Sequence, residues 1–183
     1  MVAMHPTSLT PRQIRFFHEE GYLIVPDVFA PEELEPVRQS LHGEINRQAR
    51  LLQAEGKLHD LHESAGFDRQ LSLIMRDSRE AGDALVRALM GVRGGGYYSP
   101  EMFDLITHGR LLDLIGALVA SEEIIASAYR IRPKLPRFGR GVVPWHQDSG
   151  YLSGHCDGHL IITCWVPLVA SRRSSRSWHF VMA

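Results

Sequence analysis

The hydrophobic pattern of this chain changes its period near Ile124, and this change limits the folds that the chain can adopt. Before that point apolar residues recur at spacings of three and four, the period of a helix. Two such stripes are Leu34, Val37, Leu41 and Ile45, and Leu111, Leu114, Ile115 and Leu118. After it, Ile125–Arg132 alternates between two faces, and Leu160–Val166 is apolar on both, as in a strand packed on both sides. Helices followed by strands indicate an α+β chain whose sheet half is a jelly roll or barrel.

Capping residues predict where the first helices begin and end. Thr10-Pro11-Arg12-Gln13 has the pattern of a capping box, and Gly21 is expected to end the helix that follows. Tyr22–Val25 is predicted to form a short strand. A second helix is predicted to begin at Pro31 and to end near Gly56.

The middle of the chain is also predicted to be helical. Helical patterning covers Leu71–Met90, with an interruption expected at Gly82. The run Gly94-Gly95-Gly96 predicts a connecting loop, because no Gly-Lys-Ser/Thr follows it as a phosphate-binding loop would require. Ser99 and Pro100 are expected to begin another helix.

Length and composition favour one soluble globular domain over residues 1–183, with 44% hydrophobic residues and a net charge of −1. Because 20 basic residues balance 21 acidic ones, nucleic acid is not an expected partner. Cys156 and Cys164 fit neither a disulfide framework nor a C-x-x-C pair, which favours a reducing compartment. Met1–Thr10 has no signal-peptide pattern, and no apolar run is long enough to span a membrane. We therefore expect a cytoplasmic protein without a membrane partner.

The stretch Pro144–Leu152 contains the pattern with the clearest chemical meaning. His146 and Asp148 are two residues apart, so on an extended backbone their side chains point to one face while Gln147 points away. An imidazole and a carboxylate placed in this way are half of the 2-His-1-carboxylate arrangement that holds non-haem Fe(II). Taken alone, His-x-Asp is also an ordinary surface pattern, and its context has to decide between the two interpretations.

That context resembles the phytanoyl-CoA dioxygenase family of Fe(II)- and 2-oxoglutarate-dependent oxygenases. Trp145-His146-Gln147-Asp148 is similar to the metal motif of the family, and Phe17–Pro26 resembles its first helix and strand. Tyr129–Lys134 resembles the strand that leads to the motif, and Thr163–Leu168 resembles the strand after it. The resemblance extends from about Leu9 to Val169.

The resemblance implies a double-stranded β-helix, the cupin-like jelly roll, in the second half of the chain. It implies that His146 and Asp148 bind Fe(II), and that Arg130, Lys134 and Trp165 are walls of a pocket for 2-oxoglutarate, the co-substrate. The reaction implied is hydroxylation of a small or lipid-like molecule, with ascorbate as a useful assay additive. A carboxylate at position 148 favours hydroxylation, because related halogenases have a small residue there.

The chain departs from the family pattern after Asp148. The resemblance implies a second histidine ligand and an oxoglutarate-binding arginine on later strands, and no residue is assigned to either role. His179 falls where the family has a pocket or sheet residue, and the tract Ala170–Ser177 replaces an acidic turn. Strands counted after Ile124 number about four of the eight in a jelly roll. We therefore expect a partial β-helix and a C-terminally truncated domain.

Two alternatives to an active oxygenase follow from these departures. One is a catalytically inactive half-barrel or interaction protein, in which an open sheet edge promotes self-association. The other is a cupin-like metal-binding protein without oxygen chemistry, since a fold alone does not determine function. His155 and His159 form a second metal-like pair, but Gly154 and Gly158 favour a solvated loop there.

Overall fold

The computed structural model of the chain describes residues 8–90, 96–121, 129–135, 154, 160–169 and 179–182. Residues 179–182 are described by their backbone only. The chain divides into two compact units. Unit 1 comprises residues 1–33, 107–125 and 144–183, and unit 2 comprises residues 34–106 and 126–143. The described residues are mixed and mostly helical, with few strands. The expectation of one domain over residues 1–183 stays a prediction.

Unit 1 begins with helix α1, Pro11–Glu20, whose ends are those predicted. Thr10 Oγ1 accepts the Gln13 N–H at 3.3 Å, and Gln13 Oε1 accepts the Thr10 N–H at 2.9 Å, which completes the capping box. Gly21 ends the helix with φ 78°, a left-handed conformation that favours glycine.

A small antiparallel sheet follows in unit 1. Strand β1 is Leu23–Pro26, β2 is Cys164–Trp165 and β3 is His179–Met182, in the order β1-β3-β2. Leu23 lies opposite Met182 and Pro26 opposite His179. Helix α6, Gly109–Val119, contacts α1. The buried apolar residues of this unit are Leu9, Phe17, Leu23, Val25, Val28, Phe29, Leu111, Leu114 and Leu118.

The predicted strand Leu160–Val166 is much shorter in the structure. Only Cys164 and Trp165 pair with β3, opposite Met182 and Val181. In this register Pro167 would lie opposite His179, and proline has no N–H to donate to the ladder. Pro167 limits the ladder at this end, and at the other end β3 stops at Met182, opposite Cys164, so it does not extend alongside Leu160–Thr163.

Unit 2 is a set of helices. They are α2, Pro31–Ala54, α3, Phe67–Asp77, α4, Arg79–Met90, and α5, Pro100–Ile106. The first three residues of α2 belong to unit 1. A 3-10 turn at Glu63–Ala65 precedes α3. The predicted stripe of α2 is confirmed, since all four of its apolar residues are buried. The core of unit 2 is Leu34, Val37, Leu41, Ile45, Ala49, Leu58, Leu71, Ile74, Met75, Ala81, Leu85, Leu89, Met102 and Leu105.

The interruption predicted at Gly82 was wrong. The break between α3 and α4 is at Ser78, whose hydroxyl accepts the Ala81 N–H at 3.2 Å, and Gly82 lies inside α4. A Cβ atom at Gly82 would lie 2.6 Å from Met75 Sδ and 2.7 Å from Met75 Cα. Gly82 therefore permits α3 and α4 to approach closely, a role that the local sequence does not distinguish from that of a helix breaker.

Two further predictions concern the sheet half of the chain. In the predicted strand Ile125–Arg132, the described residues 129–132 belong to no strand, so this part of the prediction was wrong. The jelly roll is not confirmed and stays a prediction. In the part of the chain that the structure describes, β1 lies at one edge of the sheet, and self-association at such an edge likewise stays a prediction. No helix among the described residues has the length and apolar character needed to cross a membrane.

Candidate functional site

The two predicted iron ligands, His146 and Asp148, lie outside the described residues, as do His155 and His159. His179 is described by its backbone, in β3 opposite Pro26. Among the described residues no group of three His, Cys, Asp or Glu side chains could hold a metal ion. The described residues that bear on a functional site are therefore the predicted pocket walls and the polar clusters in each unit.

The cationic row Arg130, Arg132 and Lys134 is described in unit 2. All three side chains are exposed, whereas Tyr129 and the alternate residues after it are partly buried. This alternation confirms the prediction that the three cations share one side of the segment, although the segment pairs with no strand. Cations at alternate positions can meet the carboxylates of a dicarboxylate ligand.

Trp165, the third predicted pocket wall, lies in unit 1 on strand β2. About half of its side chain, 48%, is exposed, and its strand neighbour Cys164 is partly buried. Burial raises the pKa of the Cys164 thiol to about 12, so this thiol is protonated at neutral pH. A protonated thiol is a poor nucleophile, so we assign Cys164 no catalytic role.

A hydroxyl cluster in unit 2 was not predicted from the sequence. Ser40 Oγ on α2 lies 2.9 Å from Tyr97 Oη, 3.1 Å from Ser99 Oγ and 2.9 Å from Glu101 Oε2. Hydrogen bonds from Ser99, from the Glu101 backbone and from Ser40 lower the pKa of Glu101. Because a hydroxyl has one hydrogen, Ser40 donates to this carboxylate and accepts from Tyr97. The only sequence signal here is the pair Tyr97-Tyr98 before a helix start.

The hydroxyl cluster is connected to the segment that carries the cationic row. Tyr129 Oη donates to the Tyr97 carbonyl at 2.8 Å, and the Tyr129 ring packs edge-to-face on Tyr98 with a centroid distance of 5.7 Å. Burial raises the pKa of Tyr129, and the neighbouring phenols of Tyr98 and Tyr97 add to the effect. Tyr129 therefore stays protonated and able to donate at neutral pH.

A second polar cluster lies in unit 1, where Glu33 meets α6. Glu33 accepts the Ala30 N–H at 2.7 Å and a hydrogen bond from Arg110, and His108 Nε2 lies 3.6 Å from Glu33 Oε1. Burial alone would raise the pKa of Glu33, but the Ala30 and Arg110 hydrogen bonds outweigh it and lower the pKa. His108 also packs edge-to-face on Phe29. These contacts join the start of α2 to the start of α6, which gives the cluster a structural role.

A third cluster surrounds His62, before α3. His62 Nε2 lies 2.6 Å from Asp77 Oδ2, and Nδ1 lies 3.4 Å from Asp60 Oδ2. Arg76 and then His62 lower the pKa of Asp77 by donating hydrogen bonds to it. Because the two carboxylates face opposite ring nitrogens, they cannot share one metal ion with the imidazole, and the cluster is a polar network around His62 and Asp77.

Comparison with known proteins identifies the family of the chain. The family model for phytanoyl-CoA dioxygenase matches residues 17–175, which is most of the chain and includes His146, Asp148 and the cationic row. No curated protein and no solved structure matches the chain. The chain therefore belongs to the phytanoyl-CoA dioxygenase family, in which members are typically dependent on Fe(II) and 2-oxoglutarate.

Proposed function

We propose that this protein is an Fe(II)- and 2-oxoglutarate-dependent oxygenase that hydroxylates a small or lipid-like molecule. The family match carries the proposal, because it spans the predicted metal motif and the segment that leads to it. The exposed cationic row supports it, since a dicarboxylate co-substrate requires cations at the protein surface that it approaches.

The metal motif supplies two of the three ligands of a 2-His-1-carboxylate Fe(II) site, and the second histidine is not assigned to a residue. The His146 imidazole and the Asp148 carboxylate are ligand types of the 2-His-1-carboxylate site, in which positions on the metal stay open for other ligands. When bound, Fe(II) together with 2-oxoglutarate supplies the oxidising power for C–H hydroxylation. We assign Arg130 and Lys134 to bind and orient the co-substrate by charge, and Trp165 to exclude water from the pocket wall.

Release of succinate from 2-oxoglutarate tests this function. The purified protein is assayed with Fe(II), ascorbate and 2-oxoglutarate, beside the variants His146→Ala and Asp148→Ala. We expect release by the wild type and its loss in both variants, while a His18→Ala control on an exposed face of α1 keeps the wild-type rate. Release that is unchanged by both ligand variants would contradict the assignment of the metal motif.

A non-catalytic interaction protein is the second candidate, and an observation in unit 1 favours it. Strand β1 is at an edge of the described sheet, and both Ile24 within it and Tyr22 just before it are exposed, with Tyr22 packed edge-to-face on Phe16. Such an edge is suited to pairing with a second copy of the chain. Sedimentation of the wild type and of Ile24→Lys distinguishes the candidates: a dimer that the variant dissociates, without succinate release, supports the non-catalytic one.

The same purified proteins distinguish the cupin-like alternative from an oxygenase. It predicts that the protein binds a metal ion through His146 and Asp148. It also predicts that the protein neither binds 2-oxoglutarate nor releases succinate. The Arg130→Gln and Lys134→Gln variants then become informative, because only an oxoglutarate pocket makes ligand affinity depend on these two cations.

A further inference from the structure

The segment 129–135 carries the predicted oxoglutarate cations, yet it pairs with no strand in the described part of the chain. One anchor of the segment is Tyr129, which makes one hydrogen bond to the Tyr97 carbonyl and one ring contact with Tyr98. Arg130 is the next residue, so the placement of its backbone depends directly on how firmly Tyr129 is held.

Tyr97 is fixed at three points. Its N–H donates to the Leu89 carbonyl near the end of α4 at 3.1 Å, and its hydroxyl lies 2.9 Å from Ser40 Oγ on α2. Its carbonyl accepts the hydrogen bond from Tyr129. Tyr97 therefore connects two helices of unit 2 to the segment that carries the cationic row.

We infer that Tyr97 and Tyr129 are positioning residues for the binding of 2-oxoglutarate, with Ser40 as their anchor on α2. They touch neither the metal nor the co-substrate in this assignment; they hold the backbone that presents Arg130, Arg132 and Lys134. A fixed cationic row loses less conformational entropy on binding a dicarboxylate than a row on an untethered segment. This inference rests on the proposed function, because it takes 2-oxoglutarate as the ligand of the row.

The Tyr129→Phe variant removes one hydroxyl and retains the ring. We expect the Kd for 2-oxoglutarate, measured by calorimetry on the anaerobic Fe(II)-loaded protein, to rise about threefold to tenfold, the loss of one net hydrogen bond. Ser40→Ala leaves both tyrosines in place and should raise the Kd in the same direction by a smaller factor. The affinity for Fe(II) should not change in either variant. Tyr22→Phe, an exposed tyrosine of unit 1, is the matched control and should leave the Kd unchanged.

Hydrogen exchange supplies a readout that a general loss of stability would not reproduce. In Tyr129→Phe, peptides covering residues 129–135 should exchange faster, while peptides from α2 and α3 keep the wild-type rate.

The outcomes separate the two claims. A wild type that binds 2-oxoglutarate with a Kd unaltered by both Tyr129→Phe and Ser40→Ala overturns the positioning role and leaves the proposed function standing. A wild type that does not bind 2-oxoglutarate with Fe(II) overturns the proposed function, and the positioning role with it. Faster exchange over residues 129–135 together with a raised Kd supports both.

Discussion

The helices of unit 2 and the sheet of unit 1 acquire their order in different ways. Each helix of unit 2 buries a stripe of residues three and four apart, and its ends are determined by local signals such as Ser78 and Ser99. The sheet instead pairs β1 with β3, so that Leu23 needs Met182 as its partner. Helical structure can therefore be predicted from neighbouring residues, whereas the sheet depends on residues that are remote along the chain.

The largest expected effect tests how far the helical unit depends on its buried stripe. Ile74 is fully buried on α3, and Ile74→Ala should lower the free energy of unfolding by about 2 to 5 kcal/mol through lost burial and a cavity. Leu51→Ala is the control, since Leu51 on α2 is 49% exposed and its loss should cost about 0.5 kcal/mol or less. Denaturant unfolding measures both. Equal costs for the two variants would contradict the assignment of the core.

Two glycines in helices of unit 2 give a sharper comparison. Gly82→Ala should lower the free energy of unfolding by about 1 to 3 kcal/mol, because its Cβ would overlap Met75. Gly43→Ala inside α2 meets no atom within 4 Å and should raise it by about 0.5 to 1 kcal/mol. Thermal unfolding of the two variants should therefore shift in opposite directions. Stabilisation by Gly82→Ala would show that α3 and α4 do not approach as closely as described.

The capping box of α1 tests the same local rule in unit 1. Thr10→Ala removes the side-chain acceptor of the Gln13 N–H and should cost about 1 kcal/mol of unfolding free energy. Thr10→Ser retains the hydroxyl and should cost much less. If the two variants unfold alike in denaturant, the cap does not stabilise the helix.

The smallest expected effect depends on pH and concerns Glu33 in unit 1. The folded pKa of Glu33 is below its ordinary value of 4.5, so its stabilising contribution is complete above pH 4.5 and is lost as the pH falls through the folded pKa. Glu33 is partly exposed, so this contribution should be about 1 kcal/mol or less. Wild type and Glu33→Gln should differ in unfolding free energy at pH 7, and the difference should shrink as the pH falls from 4.5 through the folded pKa; a constant difference would contradict the ion pair.

Local sequence was sufficient for much of the helical structure and insufficient for the sheet. The cap at Thr10, the stop at Gly21 and the stripe of α2 follow from neighbouring residues. Gly82 was misassigned because a helix breaker and a close-contact glycine look alike until the facing Met75 is known. The length of β2 depends on the register with β3, which no short stretch of sequence contains.

The candidate site also combines features that local sequence predicts with features that it does not. Alternation placed the three cations of the cationic row on one side without knowledge of their surroundings. The Ser40, Tyr97 and Tyr129 contacts join residues from three separate parts of the chain, and no local pattern indicates them. The iron assignment rests on the resemblance of the metal motif to the family, and His146 and Asp148 lie within the matched residues 17–175.

Binding of Fe(II) is the measurement that tests the central claim most directly. Fe(II) is titrated anaerobically into the wild type, His146→Ala and Asp148→Ala in the presence of 2-oxoglutarate. The quantity recorded is the visible absorption that appears when 2-oxoglutarate binds beside protein-bound Fe(II). The proposed Fe(II)- and 2-oxoglutarate-dependent function predicts this absorption in the wild type and its loss in both variants. Absorption of equal strength in all three proteins, or none in the wild type, would contradict it.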